Sequence, residues 1–282
     1  MGKIIDGKAE AAKLKEEIKS FVLKKKEENK RVPCLTAILV GKDGGSIFYC
    51  NNQRKLCDQL GVLYKLIELE ESTTEAELIK VIEELNNSKD VDGLILQLPL
   101  PKHINEKVVT SKISFKKDID GLTDINMGKF YKGDECFVPC TPQSIIHLIK
   151  STGLNIEGKN AVVIGRSNIV GKPVAQLLLK ENATVTICHS KTRNIKDICK
   201  NADILVCALG KPGFVSEEYI KAGAVVIDVG TSMVEGKITG DVQFNSIIEK
   251  DVYLTPVPGG VGALTTTILI KNACEASKKN VY

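Results

Sequence analysis

The sequence of 282 residues lacks several patterns that mark common classes of protein. It has no Cys-x-x-Cys pair, and its nine scattered cysteines are an odd number, which argues against a disulfide framework or a zinc site and fits a reducing cytosol. No apolar run is long enough to span a bilayer, and the first residues show no signal-peptide core. We therefore expect a cytoplasmic protein with no membrane partner.

Catalytic motifs built on histidine or on a phosphate loop are also missing. The three histidines lie far apart, and there is no Ser-His-Asp order, no HExxH and no P-loop, so we predict no metal site. The net charge of +4 is small for this length; it argues against nucleic-acid binding and allows an anionic small substrate. The apolar content of 43% is that of a globular protein with one or two domains.

Helix and strand patterns alternate in both halves of the chain, which predicts parallel sheets. In the first half we expect a helix over 8–28 and strands over 35–40, 62–69 and 93–98. We also expect a helix that opens at Ser46 and stops at Gly61, and another that is opened by the capping box Thr74-x-x-Glu77. The aperiodic segment 116–142 is predicted to lie between two domains, with Thr141-Pro142 opening a helix. Further strands are expected near 161–165, 184–188, 203–207 and 225–229, and a last helix over about 263–278.

A glycine turn stands at the centre of the second series. An apolar strand ends at Gly165, and Gly171 precedes an apolar helical run, an arrangement that places backbone N–H groups and a positive helix end against a phosphate. The spacing is Gly-x5-Gly rather than the full dinucleotide fingerprint, so the turn alone also fits a simple tight connection in a parallel sheet.

The end of the next strand selects between these two interpretations. It reads His189-Ser190-Lys191, where an NAD-binding unit usually carries an acid for the ribose 2′-hydroxyl. A hydroxyl and a cation suit a 2′-phosphate, and Arg166 could supply a second cation. The sequence therefore predicts NADP rather than NAD.

Polar residues in the first half are candidates for chemistry. Tyr49 and Gln53 are four residues apart and share a helix face; by spacing alone, Tyr49 also fits a half-buried side chain with a satisfied hydroxyl. Gln97 interrupts an apolar run at the end of a strand, and it is either a functional amide or a satisfied core amide.

Two other segments are candidates for ligand binding, and the first of them also fits a simple turn. Asp118 and Asp120 fit either a turn bonded to local backbone or a carboxylate that grips a ring carrying N–H donors. The segment 258–262, Pro-Gly-Gly-Val-Gly, contains too many glycines for a core element and suggests backbone that closely approaches a flat ligand.

Taken together, these segments resemble the methylenetetrahydrofolate dehydrogenase/cyclohydrolase (FolD) family over essentially the whole chain. The resemblance rests on these motifs: Val40-Gly41 with Ser46-x-x-Tyr49, Gly93-Leu94-Ile95-Leu96-Gln97-Leu98-Pro99-Leu100-Pro101, Lys117-Asp118-Ile119-Asp120-Gly121-Leu122, Pro139-Cys140-Thr141-Pro142, Gly165-Arg166-Ser167-Asn168-Ile169-Val170-Gly171-Lys172-Pro173 and Thr255-Pro256-Val257-Pro258-Gly259-Gly260-Val261-Gly262.

The resemblance implies two α/β domains flanking a folate cleft, the second a Rossmann-like NADP-binding domain, and a homodimer. The implied boundaries are 1–140 with a C-terminal helix 264–282 for the catalytic domain, and 141–263 for the NADP domain. The implied reaction passes a hydride from 5,10-methylenetetrahydrofolate to NADP+, and in bifunctional members water then opens the methenyl product to 10-formyltetrahydrofolate.

The family's residue roles carry over by position. Tyr49 would stack on the folate, Gln97 would position a catalytic lysine, and Asp120 would bind the pterin. Arg166 and Ser190 would bind the 2′-phosphate. The remaining implied residues are Gly165, Ser167 and Thr231 at the cofactor and Leu98, Pro99, Pro258, Gly259, Gly260 and Val261 at the substrate.

One departure from the family pattern matters for the chemistry. The family's catalytic lysine stands four residues after the tyrosine, where this chain has Gln53, and an amide neither takes nor gives a proton near neutral pH. Arg54 and Lys55 point away from that position on a helix. We therefore expect the dehydrogenase with weak or absent cyclohydrolase. The alternatives are the full bifunctional enzyme and a non-catalytic NADP-sensing module.

Further departures, Gln143-Ser144 and Ala263-Leu264, stand where the family often has Lys-Gly and Pro-Met. We assign them no effect.

Overall fold

The computed structural model describes residues 2–279 and confirms the α/β class. Its strands are β1 (Lys3–Ile4), β2 (Cys34–Val40), β3 (Leu63–Leu69), β4 (Gly93–Leu96), β5 (Asn160–Ile164), β6 (Thr184–Cys188), β7 (Ile204–Cys207), β8 (Val225–Asp228), β9 (Ser232–Val234), β10 (Lys237–Thr239) and β11 (Tyr253–Leu254). Its α-helices are α1 (Gly7–Glu27), α2 (Gly44–Leu60), α3 (Glu75–Asn87), α4 (Glu106–Thr110), α5 (Asp124–Lys132), α6 (Cys140–Ser151), α7 (Gly171–Lys180), α8 (Ile195–Cys199), α9 (Phe244–Ile247) and α10 (Val261–Lys279).

The chain divides into two compact units. One contains Pro139–Thr265 together with the chain up to Ala12, and we call it the nucleotide unit. The other contains Lys13–Val138 together with the chain from Thr266, and we call it the catalytic unit. The last three residues of the predicted helix 264–282 lie outside the described residues.

The catalytic unit is built on a three-stranded parallel sheet with the order β3-β2-β4. All seven residues of the central strand β2 are buried, as expected for a parallel strand covered on both faces. Leu78, Ile82 and Leu94 belong to the core on one face of this sheet. The carboxyl ends of its strands therefore meet at one edge, where Gln97 follows β4 directly.

The nucleotide unit is built on a six-stranded parallel sheet with the order β1-β11-β8-β7-β5-β6. Strand β5, the first strand after Pro139, lies between β6 and β7, so the strand order reverses beside β5. A short antiparallel hairpin, β9-β10, follows β8. In open parallel sheets, ligands bind at the carboxyl edge near such a reversal.

The compact units differ from the predicted domains at the N-terminus. The prediction grouped the first residues with the catalytic domain, but β1 pairs in parallel with β11 and extends the nucleotide unit's sheet. A strand of two residues has no periodicity that a sequence pattern can show, and its partner lies about 250 residues away in the chain.

Two predicted helix starts are corrected by the structure. The α2 helix is capped by Asp43, whose carboxylate accepts the N–H of Ser46 at 2.8 Å, so Ser46 lies inside the helix. The α6 helix starts at Cys140 after Pro139, whose carbonyl accepts the N–H of Gln143, so Thr141 is not its cap. The capping box at Thr74 and Glu77 and the stop at Gly61 are as predicted.

The segment 116–142 contains a helix that the prediction lacked. Helix α5 begins after Thr123, whose side chain accepts the N–H of Asn126, and ends at Gly133 in the left-handed conformation. The sequence signals of this helix are its two capping residues, Thr123 and Gly133, and its nine residues are few for a helical periodicity to show. Strand β4 ends at Leu96, two residues before the predicted end.

A partly buried ion pair anchors the start of β2 in the catalytic unit. The carboxylate of Asp92, which is fully buried, accepts two bonds of 2.7 Å from the Arg31 guanidinium and one of 2.8 Å from the N–H of Cys34. We predict that Arg31→Met lowers the free energy of unfolding by about 2 kcal/mol, because it leaves the buried carboxylate of Asp92 without its cation. The loss is smaller than for a fully buried pair because Arg31 itself is partly solvated. Urea unfolding followed by circular dichroism measures this change.

The neighbouring Lys30 supplies the control. Its ammonium pairs with Glu28 on the surface, with 62% of its side chain exposed. Lys30→Met removes one positive charge as Arg31→Met does, and should change the free energy of unfolding by no more than about 0.5 kcal/mol. Equal losses in the two variants would show that net charge, and not the pairing of Arg31 with Asp92, is responsible.

Candidate active site

The glycine turn after β5 is shaped by two close backbone approaches. Gly165 has a φ of +135°, and a Cβ there would lie 2.3 Å from the carbonyl oxygen of Ala208. A Cβ on Gly171 would lie 2.3 Å from the carbonyl oxygen of Gly165. The Ser167 hydroxyl accepts the N–H groups of Val170 and Gly171 at 3.2 and 3.3 Å. The two glycines thus let the turn fold tightly against the first turn of α7.

The neighbouring strand end carries the predicted phosphate-binding side chains. The N–H of Gly165 donates to the carbonyl of Cys188 at 2.9 Å, which places the turn beside the end of β6. The N–H of Lys191 donates to Nδ1 of His189, and Ser190 and Arg166 are exposed. The segment 189–193 contains two cations and no carboxylate. This combination of donors and cations fits a dinucleotide with a 2′-phosphate.

The other loops of this sheet edge hold two buried carboxylates. Asp228 ends β8 with 3% of its surface exposed, and Asp241, which follows β10, is fully buried. Their oxygens accept backbone N–H groups of the loops after β7 and β8. Thr231, a predicted cofactor residue, is exposed just after Gly230 in one of these loops.

The glycine-rich segment 258–262 packs against its own unit. A Cβ on Gly260 would lie 2.7 Å from the carbonyl of Pro256, and a Cβ on Gly7 would lie 2.1 Å from the carbonyl of Gly260. Backbone packing thus accounts for a glycine at 260. Pro258 is exposed, Gly259 has a φ of +113°, and Val261 is buried at the start of α10. The substrate role of Pro258, Gly259, Gly260 and Val261 stays a prediction.

In the catalytic unit, Tyr49 and Gln53 lie one turn apart on α2 but differ in exposure. Tyr49 is 57% exposed, whereas Gln53 is 5% exposed. The turn after β4 is tied to this helix, because the Ser46 hydroxyl donates to the carbonyl of Leu98 at 3.1 Å. An exposed phenol beside a buried amide gives a flat surface next to a polar site.

The Gln53 amide is the centre of a small polar cluster. Its Oε1 accepts a hydrogen bond from Nε2 of Gln97 and another from the Tyr64 hydroxyl, both at 3.3 Å. Burial raises the pKa of the Tyr64 hydroxyl and also the pKa of the nearby Cys50 thiol. Near neutral pH, therefore, these two neighbours are protonated and uncharged, and the amide itself does not titrate.

A cavity of about 210 Å³ lies at the carboxyl end of β4. Gln97, Leu98 and Asp120 line it, together with the apolar side chains of Leu96 and Ile113. Apolar walls with an amide and a carboxylate suit a flat ring that carries N–H donors.

Both aspartates of the motif border this cavity, and they differ in burial. The carboxylate of Asp118 accepts the N–H groups of Leu122 and Thr123 and the side-chain amide of Asn126, which is the turn interpretation of the sequence. Asp120 is only partly buried and borders the same cavity. Asp118 therefore shapes the loop that places Asp120.

Residues 2–279 contain no group of three or more His, Cys, Asp or Glu side chains that could hold a metal ion. Over the same residues, none of the helices has the length and apolar character needed to cross a membrane. All nine cysteines carry free thiols.

Family comparisons cover nearly the entire chain. The tetrahydrofolate dehydrogenase/cyclohydrolase catalytic domain matches residues 5–120, and the NAD(P)-binding domain of the same family matches residues 139–281. The chain belongs to the tetrahydrofolate dehydrogenase/cyclohydrolase (FolD) family.

Individual relatives agree over their full length. The chain is 61% identical to the bifunctional protein FolD of Clostridium acetobutylicum over 99% of this chain and 100% of the relative, and 62% identical to that of Clostridium novyi with the same coverage. The solved structure of FolD from Campylobacter jejuni is 39% identical, covers 100% of both chains and has a TM-score of 0.96. The Trypanosoma brucei enzyme, solved with NADP cofactor and an inhibitor, is 38% identical over 99% of this chain and 98% of that one, with a TM-score of 0.92.

The structure brings together some of the residues that the FolD resemblance assigns to the site. Gln97, Leu98 and Asp120 share one cavity, and Gln53 bonds to Gln97. Pro99 lines a neighbouring groove instead. Tyr64 was not among the predicted site residues, because a tyrosine in the alternating pattern of β3 has no sequence feature that points to Gln53.

The close approach at Gly171 predicts that the turn tolerates no side chain. Gly171→Ala should weaken NAD(P)H binding at least about tenfold, since the new methyl group displaces the Gly165 peptide and the N–H groups beside it. Quenching or enhancement of NAD(P)H fluorescence on titration measures the dissociation constant. Gly128→Ala in α5 is the matched control, because its Cβ would meet open space, and it should leave the dissociation constant unchanged. Unaltered binding by Gly171→Ala would contradict this account of the turn.

Proposed function

We propose that this protein oxidises 5,10-methylenetetrahydrofolate to 5,10-methenyltetrahydrofolate with NADP+. The observation that carries the proposal is the match of both family domains to one chain whose two units each offer a suitable site. A non-catalytic NADP-sensing module would leave the catalytic-domain match and the cavity beside Asp120 without a use.

The residues of the catalytic unit would bind and orient the folate. The exposed ring of Tyr49 offers a stacking surface, and the cavity lined by Gln97, Leu98 and Asp120 suits the pterin, with Pro99 beside it. Hydride transfer asks mainly that the two reacting rings be held in contact at a productive angle. These side chains can do this without moving a proton.

The nucleotide unit would hold NADP+, which accepts the hydride when bound. Gly165, Ser167 and Thr231 would line the cofactor, and Arg166 and Ser190 would bind its 2′-phosphate. A relative of similar structure was solved with NADP cofactor, which supports this assignment. We also propose the boundaries 1–140 with 264–282 and 141–263 for the functional domains, and a homodimer, as the family resemblance implies.

The choice of NADP+ can be tested at Arg166. Removing its cation with Arg166→Gln should lower kcat/KM for NADP+ about tenfold and leave kcat/KM for NAD+ nearly unchanged, because only NADP+ carries the extra phosphate. The absorbance of the reduced nicotinamide measures both values. Lys180→Gln removes an exposed cation from the last turn of α7, outside the proposed 2′-phosphate site, and should have little effect. Equal kcat/KM values for the two cofactors in the unmodified protein would refute the choice.

Two candidates describe the second reaction, the hydrolysis of the methenyl product. The comparisons support the bifunctional alternative better than the predicted loss of cyclohydrolase, because the relatives that match along the whole chain are named bifunctional FolD. The expected weak cyclohydrolase is therefore not confirmed. A bifunctional enzyme with Gln53 would use unassisted water or a base other than residue 53.

One observation favours the dehydrogenase-only candidate. Gln53 stands in the position of the family lysine, and the two side chains that donate to it, Gln97 and Tyr64, are neutral near neutral pH. No member of this cluster can accept a proton from the attacking water at that pH. On this ground, hydrolysis at Gln53 would lack general-base catalysis.

Gln53→Lys separates the two candidates. If residue 53 limits hydrolysis, the lysine should accelerate the decay of 5,10-methenyltetrahydrofolate about a hundredfold, because it restores a group that can exchange protons. The loss of methenyl absorbance measures the rate, and Gln59→Lys, an exposed position on the same helix, is the control. Fast hydrolysis by the unmodified protein would establish the bifunctional candidate, and its loss in Lys55→Ala would locate the base elsewhere on α2.

A further inference from the structure

The carboxyl edge of the nucleotide unit's sheet contains two buried aspartates that the proposed reaction does not use. Asp228 is the last residue of β8, and Asp241 follows β10. Both are almost fully buried, at 3% and 0% exposure. Burying a carboxylate is costly unless it is hydrogen-bonded, so the bonds that these oxygens accept show what the two side chains hold in place.

Asp241 binds the loop that follows β7. Its Oδ2 accepts the N–H groups of Leu209 at 2.6 Å and Gly210 at 3.0 Å, and its Oδ1 accepts that of Lys211 at 2.6 Å. Three successive backbone donors thus converge on one carboxylate. Such charge-assisted bonds are short and strong, and they fix the conformation of the loop that carries them.

Asp228 binds Asp241 in turn, and also the loop after β8. Its Oδ1 accepts the N–H of Gly230 at 3.0 Å and that of Asp241 at 2.9 Å, and its Oδ2 accepts that of Val242 at 3.0 Å. A Cβ on the intervening Gly240 would lie 2.0 Å from Oδ2, so the backbone passes directly against this carboxylate.

A threonine adds the third loop to this chain of contacts. The N–H of Asp228 donates to the Thr255 hydroxyl at 2.7 Å, and Thr255 directly follows β11. The loops after β7, β8 and β11 are therefore joined through Asp228, Asp241 and Thr255. Burial raises the pKa of Asp228 to about 6 against the lowering effect of its N–H donors, so this carboxylate is ionised near neutral pH.

The position of these loops indicates what they are held for. In the proposed NADP site, the glycine turn after β5 and the end of β6 bind the phosphates and the adenosine half of the dinucleotide. These two elements lie on one side of the point where the strand order reverses. The loops after β7 and β8 lie on its other side, where the remaining, nicotinamide half of a dinucleotide extends.

We propose that Asp228 and Asp241 are positioning residues for the cofactor: they hold the loops after β7 and β8 in the conformation that receives the nicotinamide half of NADP. This inference rests on the proposed function. It assigns no contact between either carboxylate and the cofactor, because their oxygens are engaged by backbone N–H groups within the unit.

Asp241→Asn tests the proposal with little change in shape. The amide keeps one acceptor oxygen but places an N–H₂ group against a backbone donor, so at least one bond to 209–211 is lost. We expect the dissociation constant for NADP+, measured by calorimetry on the full chain, to rise about tenfold. The KM for NADP+ should rise likewise, and the KM for methylenetetrahydrofolate should stay within about twofold.

Asp203→Asn is the matched control for stability. Asp203 accepts the N–H of Asn160 at 3.0 Å and pairs with Lys221, but it precedes β7 at the opposite, amino edge of the same sheet. We expect this variant to lower the melting temperature and to leave the dissociation constant for NADP+ unchanged. Equal weakening of NADP+ binding by both variants would overturn the proposal, as would unchanged binding by a folded Asp241→Asn. Absence of NADP+ binding by the unmodified protein would instead overturn the proposed function.

If Asp241→Asn does not fold, a pair of variants at Thr255 decides the question. Thr255→Val removes the hydroxyl that accepts the backbone N–H of Asp228 and keeps the side-chain volume nearly constant, whereas Thr255→Ser keeps the hydroxyl. We expect Thr255→Val to weaken NADP+ binding by about fivefold and Thr255→Ser to bind like the unmodified protein. Equal dissociation constants in these two variants would overturn the proposal.

Discussion

The parallel pairing of β5 with β6 on one side and β7 on the other determines much of the nucleotide unit. Because parallel strands all end at the same edge, this pairing brings the glycine turn, the His189-Ser190 strand end and the loop after β7 to one place. The approach is so close that Gly165 lies against the carbonyl of Ala208, which leaves no room for a side chain. The phosphate-binding features of the sequence acquire a common location only through this register.

Much of this architecture could be predicted, because it depends on local patterns. Strand β6 has the predicted bounds, and the capping box of α3 and the left-handed stop at Gly61 follow from residue types with a direct backbone role. The misses have physical causes. The strands β1 and β11 are only two residues long, and β1 is defined by its pairing with the distant β11. Asp43 caps α2 in place of Ser46 because its carboxylate accepts the N–H of Ser46.

The sequence indicates which residue types form the candidate site, but it says less about how these residues are arranged. The strand-end position of Gln97 and the paired acids Asp118 and Asp120 could be identified from sequence. That Asp118 holds the loop, and that both acids border the cavity, depends on tertiary contacts. Tyr64 and the two carboxylates Asp228 and Asp241 were not predicted, because a tyrosine or an aspartate near a strand carries no pattern that names its partners. Long-range hydrogen bonds decide these roles.

The cluster at Gln53 has a consequence for how the family's two activities can be separated. Here residue 53 contributes an oxygen and its neighbours contribute the hydrogens. A lysine at the same point would contribute hydrogens, and its neighbours could supply lone pairs instead: the Gln97 amide by rotating half a turn about its last bond, and the Tyr64 hydroxyl by turning its O–H away. Neither rotation alters the volume or outline of the site. The cluster can thus reverse its hydrogen-bond polarity while its packing stays the same, so a single codon could exchange an amide for a lysine here without disturbing the fold that carries it.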